Sequence, residues 1–203
     1  MFTQDLQDQY VNVGTVKTRF WGIGDEGPAV ILLHGLGASV ESWAQNMGPL
    51  AREHRVWALD LAGFGLSEKP AVDYTLSYFA QFVVEFMRTR GIERASLVGH
   101  SLGGGVALKL TLEYSEMVDS LVLVSSAGLG REGHILFRLA SVPLIGRFVT
   151  HPSRRGTELF LKECFYDSAM VTDELIELNY ALASKSGAQK AYLSTVRSIA
   201  NLF

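Results

Sequence analysis

The sequence predicts an α/β protein, a mostly parallel sheet carrying helices, with an all-helical segment after it. Short apolar runs at Ala29 to Leu33, Arg55 to Leu59, Ala95 to Gly99 and Ser120 to Ser125 are strand-length and bounded by turn residues. Helical spacing fills the intervals, as it must when the chain crosses from one parallel strand to the next. After Gly133 the alternation stops, and amphipathic helical patterns follow one another.

Taken in order, Tyr10 to Val13 and Val16 to Gly22 are rich in Val, Thr, Tyr, Phe and Trp and flank Gly14-Thr15, a hairpin signal. Gly24 to Pro28 is a turn. Ala29-Val30-Ile31-Leu32-Leu33 contains no polar residue, the pattern of a strand buried on both faces. Ser39 is placed to cap a helix running to about Glu53, and Arg55 to Leu59 is a strand ending at Asp60. Leu76, Phe79, Phe82, Val83, Phe86 and Met87 share one face of a helix from Thr75 to Arg90, with Gly91 as its stop. Ala95 to Gly99 is a strand, Leu102 to Tyr114 a helix containing three consecutive glycines, and Ser120 to Ser125 a further strand. Ile135 to Phe148, Thr157 to Phe165, Thr172 to Ser184 and Ala188 to Phe203 read as helices. Thr172 caps the third, and Asp173 and Glu174 in its first turn favour the helix dipole. The expected division is an α/β core over residues 1–129 and a helical cap or lid over 130–203.

Of the 203 residues 48% are apolar and 19% charged, the balance of a soluble globular chain of one domain, or one domain with a large insertion. A single cysteine, Cys164, excludes an intramolecular disulfide and a cysteine-rich zinc site, and suits a reducing compartment. Eighteen Lys and Arg against 21 Asp and Glu give a formal charge of −3, no electrostatic footprint for nucleic acid. The opening MFTQDLQDQY has no cation and no apolar run, so it does not read as a secretory signal. No membrane partner is expected, and the default compartment is the cytoplasm. The histidines and the cysteine show no metal-ligand spacing. Gly128 to Gly133 matches G-x-G-x-x-G, but helices follow it instead of a second strand, and no acidic ribose partner lies about 20 residues on. No cofactor or metal is expected.

Chemistry concentrates at Gly99-His100-Ser101-Leu102-Gly103, between a strand and a helix. A nucleophile elbow needs a serine on a strained turn, with small residues two positions to either side to make room. Gly99 and Gly103 supply them, and the new helix offers its N-terminus to a developing negative charge. The competing reading is a glycine-rich turn with a chance serine; the flanking strand and helix weigh against it. His34-Gly35-Leu36-Gly37 follows the preceding buried strand. Acyl transfer needs two backbone N–H donors for the oxyanion, and Leu102 and Leu36 are the candidates.

These segments resemble the α/β-hydrolase superfamily, in its group of capped serine hydrolases of esterase, C–C-bond hydrolase and haloperoxidase type. The matching blocks are His34 to Gly37, Asp60-Leu61-Ala62-Gly63-Phe64-Gly65-Leu66-Ser67, and Gly99 to Gly104. The resemblance implies a sheet of that family's type, with Ser101 as nucleophile and His34, Gly35, Gly99, His100 and Gly103 supporting the elbow and oxyanion loop. It implies hydrolysis of a small, largely apolar ester or related carbonyl compound through an acyl-serine. Asp60 is read as a loop organiser, not a catalytic acid. An alternative is a non-catalytic small-molecule binder or interaction protein on the same fold.

The sequence departs from the family pattern in its triad. After Ser101 the only histidines are His134 and His151, both in the helical segment, and the strand before it ends in Ser125-Ser126-Ala127, without a carboxylate. Two βα units of the family, roughly 60 residues, have no counterpart. The expectations are a truncated or cleaved form, a domain completed by another chain, or a degenerate relative. Each leaves Leu121 to Val124 at a sheet edge, where self-association or a complementing chain would cover it.

Overall fold

The computed structural model describes residues 6–129 and 141–200. One six-stranded sheet contains β1 (Gln9–Val13), β2 (Val16–Ile23), β3 (Ala29–Leu33), β4 (Arg55–Leu59), β5 (Ala95–His100) and β6 (Val118–Val124), in the order β1-β2-β4-β3-β5-β6. β2 pairs antiparallel with both β1 and β4, and the block β4-β3-β5-β6 is parallel. The mostly parallel α/β sheet expected from the sequence is present.

The helices are α1 (Ala44–Leu50), α2 (Leu76–Thr89), α3 (Leu102–Glu113), α4 (Pro143–Val149), α5 (Arg154–Cys164), α6 (Asp173–Ala183) and α7 (Ala188–Ala200). Among the described residues no helix is long and apolar enough to cross a membrane.

β3 shows why an unbroken apolar run was needed. Ile31 and Leu33 enter one core with Phe79, Phe86 and Leu110, while Val30 and Leu32 enter a second with Trp43 and Met47. Both sheet faces are covered there, so alternation would have left a polar side chain buried without water. α2 starts at Thr75, whose hydroxyl accepts the Tyr78 N–H, and buries Phe79, Phe82, Val83, Phe86 and Met87. It ends on Gly91 at φ 65°, which lets the Ile92 N–H turn back to the Met87 carbonyl.

Several elements differ from the sequence expectation. Ser39 does not cap a helix by its side chain. Its hydroxyl donates to Glu41 and the Val40 N–H is held by Asp60, so a 3₁₀ turn (Val40–Trp43) precedes α1. α1 stops at Leu50 instead of Glu53, and the His54 Nδ1–H donates to the Leu50 carbonyl at its end. β6 begins at Val118, two residues early, because Arg94 donates to the Val118 carbonyl and pairs with Asp119. α5 begins at Arg154, with Ser153 accepting the Gly156 N–H. Arg154 is not simply solvated: it pairs with Asp173 and Glu177 and ties α5 to α6. Phe148, where the first helix of the segment was expected to end, lies within α4 and is 86% exposed.

α7 seats the helical segment on the core. Its Ala191 is buried against the Gly63 loop, where a Cβ on Gly63 would sit 2.8 Å from Ala191. The Tyr74 N–H donates to the Ser194 hydroxyl. At the far end of the described sheet, β6 has β5 on one side only.

Candidate active site

β5 delivers the chain to Ser101 with Leu102 already the first residue of α3. Ser101 has φ 50° and ψ −114°, backbone values costly for any residue with a Cβ, of order 1–3 kcal/mol. The surroundings hold it there. Its N–H donates to the Val124 carbonyl at 3.0 Å, and its carbonyl accepts from the Ala127 N–H at 3.0 Å and the Gly105 N–H at 3.2 Å. The hydroxyl does not cap α3, so it is not spent on the helix.

The two glycines of the elbow are required by contact. A Cβ on Gly99 would lie 2.3 Å from the Gly103 carbonyl oxygen, and one on Gly103 would lie 2.2 Å from that of Leu33. α3 therefore approaches β3 and β5 backbone to backbone. Leu102, buried, has an N–H at the first turn of α3, where no intrahelical partner exists.

The second half of the site is the loop after β3. The Cβ position of Gly35 lies 3.4 Å from the Ser101 Cβ and 3.0 Å from the His100 Nδ1, so this loop touches the elbow. Leu36 is half-buried against the main core. His34 is fully buried; its Nε2 accepts the Leu61 N–H at 3.0 Å, so its proton lies on Nδ1, which donates to the Gly35 carbonyl at 2.7 Å. Burial pushes its pKa down to about 4, and the ring is neutral at pH 7. His100, half-buried, is also held below the ordinary histidine value by burial.

A group of buried charges stands behind the loop. Asp60 accepts the Val40 N–H at 2.8 Å and the Leu66 N–H at 2.7 Å, the role of loop organiser expected of it. Burial raises its pKa to about 6, against the pull of the Leu66 N–H and of Arg19. Arg19, buried in β2, pairs with Asp60, Glu41 and Asp8 at 3.4, 2.7 and 2.6 Å. Burial opposes its charge, but the Glu41 hydrogen bond and the field of Asp60 prevail and raise its pKa. Sequence reading passed over Arg19 and Glu41; an arginine followed directly by the apolar run Phe20-Trp21 in β2 was the available signal.

Residues 28–148 match the family model for the α/β hydrolase fold. The chain belongs to the α/β-hydrolase family. It is 35% identical over 95% of its length to a 2-hydroxy-6-oxo-6-(2'-aminophenyl)hexa-2,4-dienoic acid hydrolase of Metapseudomonas resinovorans. It is 30% identical over 91% of its length to a 2-hydroxy-6-oxo-2,4-heptadienoate hydrolase of Pseudomonas putida. The chain spans 65% of the length of each of these two relatives. The crystal structure of a meta-cleavage product hydrolase from Pseudomonas fluorescens superimposes with a TM-score of 0.79 at 31% identity, covering 94% of this chain and 68% of that one.

Within this α/β-hydrolase frame the elbow, His34, Gly35 and His100 come together, and other candidates do not. His151 is exposed and donates to the Pro152 carbonyl. His134, Leu136, Phe137 and Leu139 lie outside the described residues, as does the start of the cap at Gly130. Tyr192 of α7 lies over the His34–Gly37 loop, 3.5 Å from the Cβ position of Gly37, with burial pushing its phenol up to about 12. Open clefts run beside the site, along Leu66 to Tyr74 and Lys185 to Ser194; the larger is about 610 Å³, and neither is lined by Ser101. Leu36 lines neither of them.

Proposed function

We propose that the protein is a serine hydrolase acting on a small, largely apolar ester or related carbonyl compound through an acyl-serine at Ser101. The observation that carries this is the strained Ser101 between β5 and α3, with the His34–Gly35 loop in contact with it. In the reaction the Ser101 Oγ adds to the carbonyl carbon and the Oγ proton passes through a base to the leaving group. The bond from that carbon to the leaving oxygen or carbon then breaks, and water releases the acyl group. The N–H groups of Leu36 and Leu102 would receive the oxyanion. The relatives are named for 2-hydroxy-6-oxo-dienoates, so within this class they favour a ketone substrate cleaved at the adjoining C–C bond.

Among the described residues no hydrogen bond joins a histidine to the Ser101 hydroxyl. An unassisted hydroxyl is a weak nucleophile, so these 203 residues are expected to turn over a short-chain ester slowly. A fluorophosphonate probe with peptide mapping tests the proposal. The expected result is slow modification confined to Ser101 and absent from Ser101→Ala. Absence of labelling favours the non-catalytic binder, and labelling that maps elsewhere removes Ser101 from its role.

The same reading extends to the edge of β6 that no described strand pairs, where Val122 and Val124 are 48% and 41% exposed. We propose that this edge is covered in solution by self-association or a complementing chain, since an apolar edge with unpaired backbone groups invites pairing. Light scattering is expected to show a species heavier than the 22.3 kDa chain. It should revert toward monomer in Val122→Lys/Val124→Lys; a parent chain that is already monomeric at micromolar concentration contradicts this.

A further inference from the structure

We propose that Arg19 is a positioning residue for the oxyanion loop, acting through Asp60 and Glu41. The inference rests on the hydrolytic reading of Ser101 and the His34–Gly37 loop. It adds a residue from β2, on the far side of β4 and β3 from the elbow strand β5.

The loop between β3 and the 3₁₀ turn is pinned at both ends by consecutive residues. At its start the Leu61 N–H donates to His34 Nε2, and at its end the Val40 N–H donates to Asp60 Oδ1. Inside it, His34 Nδ1 and the Ala38 N–H both donate to the Gly35 carbonyl, which fixes how the Gly35–Leu36 peptide faces the elbow. The Ser39 hydroxyl donates to Glu41 Oε2 at 2.6 Å. The loop's orientation therefore depends on where Asp60 and Glu41 are held.

One guanidinium holds both. Arg19 reaches Glu41 Oε1 through Nη2 and Asp60 Oδ2 through Nη1, with its Nε on Asp8 Oδ1 at 2.7 Å and its plane over the Trp21 ring. Its backbone converges on the same place. The Asp60 N–H donates to the Arg19 carbonyl, and the Arg19 N–H donates to the Ser67 hydroxyl, which donates onward to the Asp60 carbonyl. A planar fork with several fixed donors can satisfy three carboxylates at set angles, whereas a lysine ammonium is a point charge without that geometry. Without the guanidinium, Asp60 and Glu41 would repel each other behind the loop, and the donors meant for an oxyanion would lose alignment. Oxyanion donors act through placement, so a small displacement is enough to lower the rate.

Arg19→Met, Arg19→Lys and the milder Glu41→Gln in the full 203-residue chain separate this from a general structural role. Amide hydrogen exchange over residues 35–41 is expected to speed up at least about tenfold in Arg19→Met, with α2 and β3 unchanged. The maximal rate of fluorophosphonate labelling is expected to fall on the order of tenfold while the probe's apparent affinity holds, and Arg19→Lys should recover part of that loss. If Arg19→Met does not fold, Glu41→Gln carries the test with smaller changes in the same direction. Unchanged loop exchange in the variants that fold overturns the proposal, as does exchange rising equally across the whole chain. A parent protein that takes no probe fails the hydrolytic reading and leaves loop exchange to decide whether Arg19 sets the loop.

Discussion

Alanine at position 103 is expected to cost the protein roughly 3 kcal/mol or more, at or beyond the top of the usual range for overpacking, because the atoms it meets cannot yield. The new methyl carbon would lie 2.2 Å from the Leu33 carbonyl oxygen, 2.5 Å from its carbon and 2.7 Å from the His34 carbonyl oxygen. All three are backbone atoms, and Leu33 is paired on both sides in the sheet, with Leu59 and Gly99, so relief requires α3 to lift away. Gly105, two residues on in the same helix, is the control. Its Cβ would sit 3.3 Å from the Ala127 carbonyl oxygen, and alanine gains about 1 kcal/mol of helix propensity over glycine. Urea unfolding should show a large fall in midpoint for Gly103→Ala and little change for Gly105→Ala. Similar midpoints for the two would mean that α3 does not approach β3 as closely as described.

Acidification should separate two neighbouring buried groups of opposite sign. His34 titrates at about 4 in the folded chain against 6.5 when free, so its contribution to stability is present above pH 6.5 and is lost as pH falls toward 4. Asp60 titrates at about 6 against 3.8, so the folded state takes up a proton there that the unfolded chain does not. That uptake makes Asp60 costly at neutral pH and relieves the cost as pH falls through 6. Each shift is worth about 3 kcal/mol, so the two nearly cancel between pH 6.5 and 4. Of the groups around them, Arg19 stays charged throughout. Lys69, within the field of Asp60, has its pKa lowered by burial. Glu41 and His100, whose pKa values are both lowered, contribute losses of the same sign as His34 on acidification. Asp60→Asn removes the compensation. Its stability relative to the parent is expected to drop by a further ~3 kcal/mol between pH 7 and pH 4, read from urea midpoints at several pH values. A gap that stays constant, or narrows on acidification, would show that Arg19 holds Asp60 at or below its ordinary value.

What the sequence disclosed here followed from how local each signal is. β3 was legible because five consecutive apolar residues can only be buried on both faces, and α2 because its apolar residues recur at helical spacing next to Thr75 and Gly91. Gly99, Ser101 and Gly103 stand two apart, so the elbow could be read from five residues. The Arg19 group could not, since its partners Glu41 and Asp60 lie 22 and 41 residues away and meet only once β2, β4 and the 3₁₀ turn are assembled. Ser39 misled because its hydroxyl donates to the Glu41 carboxylate, which Arg19 holds from 22 residues away, instead of accepting a helix N–H. The Arg154 pairs were out of reach in the same way, since Asp173 and Glu177 come a whole helix later.

The conformation of Ser101 sets a standing gradient across sequence space. Glycine is the residue at ease at φ 50°, so drift at this position runs downhill in free energy away from a hydroxyl. Persistence of the serine therefore has to be maintained against the folding stability of the chain, not with it. The Val124 and Ala127 contacts that fix the turn impose the same backbone on whatever residue stands there. A lineage released from selection on its chemistry would keep the fold and lose the side chain first.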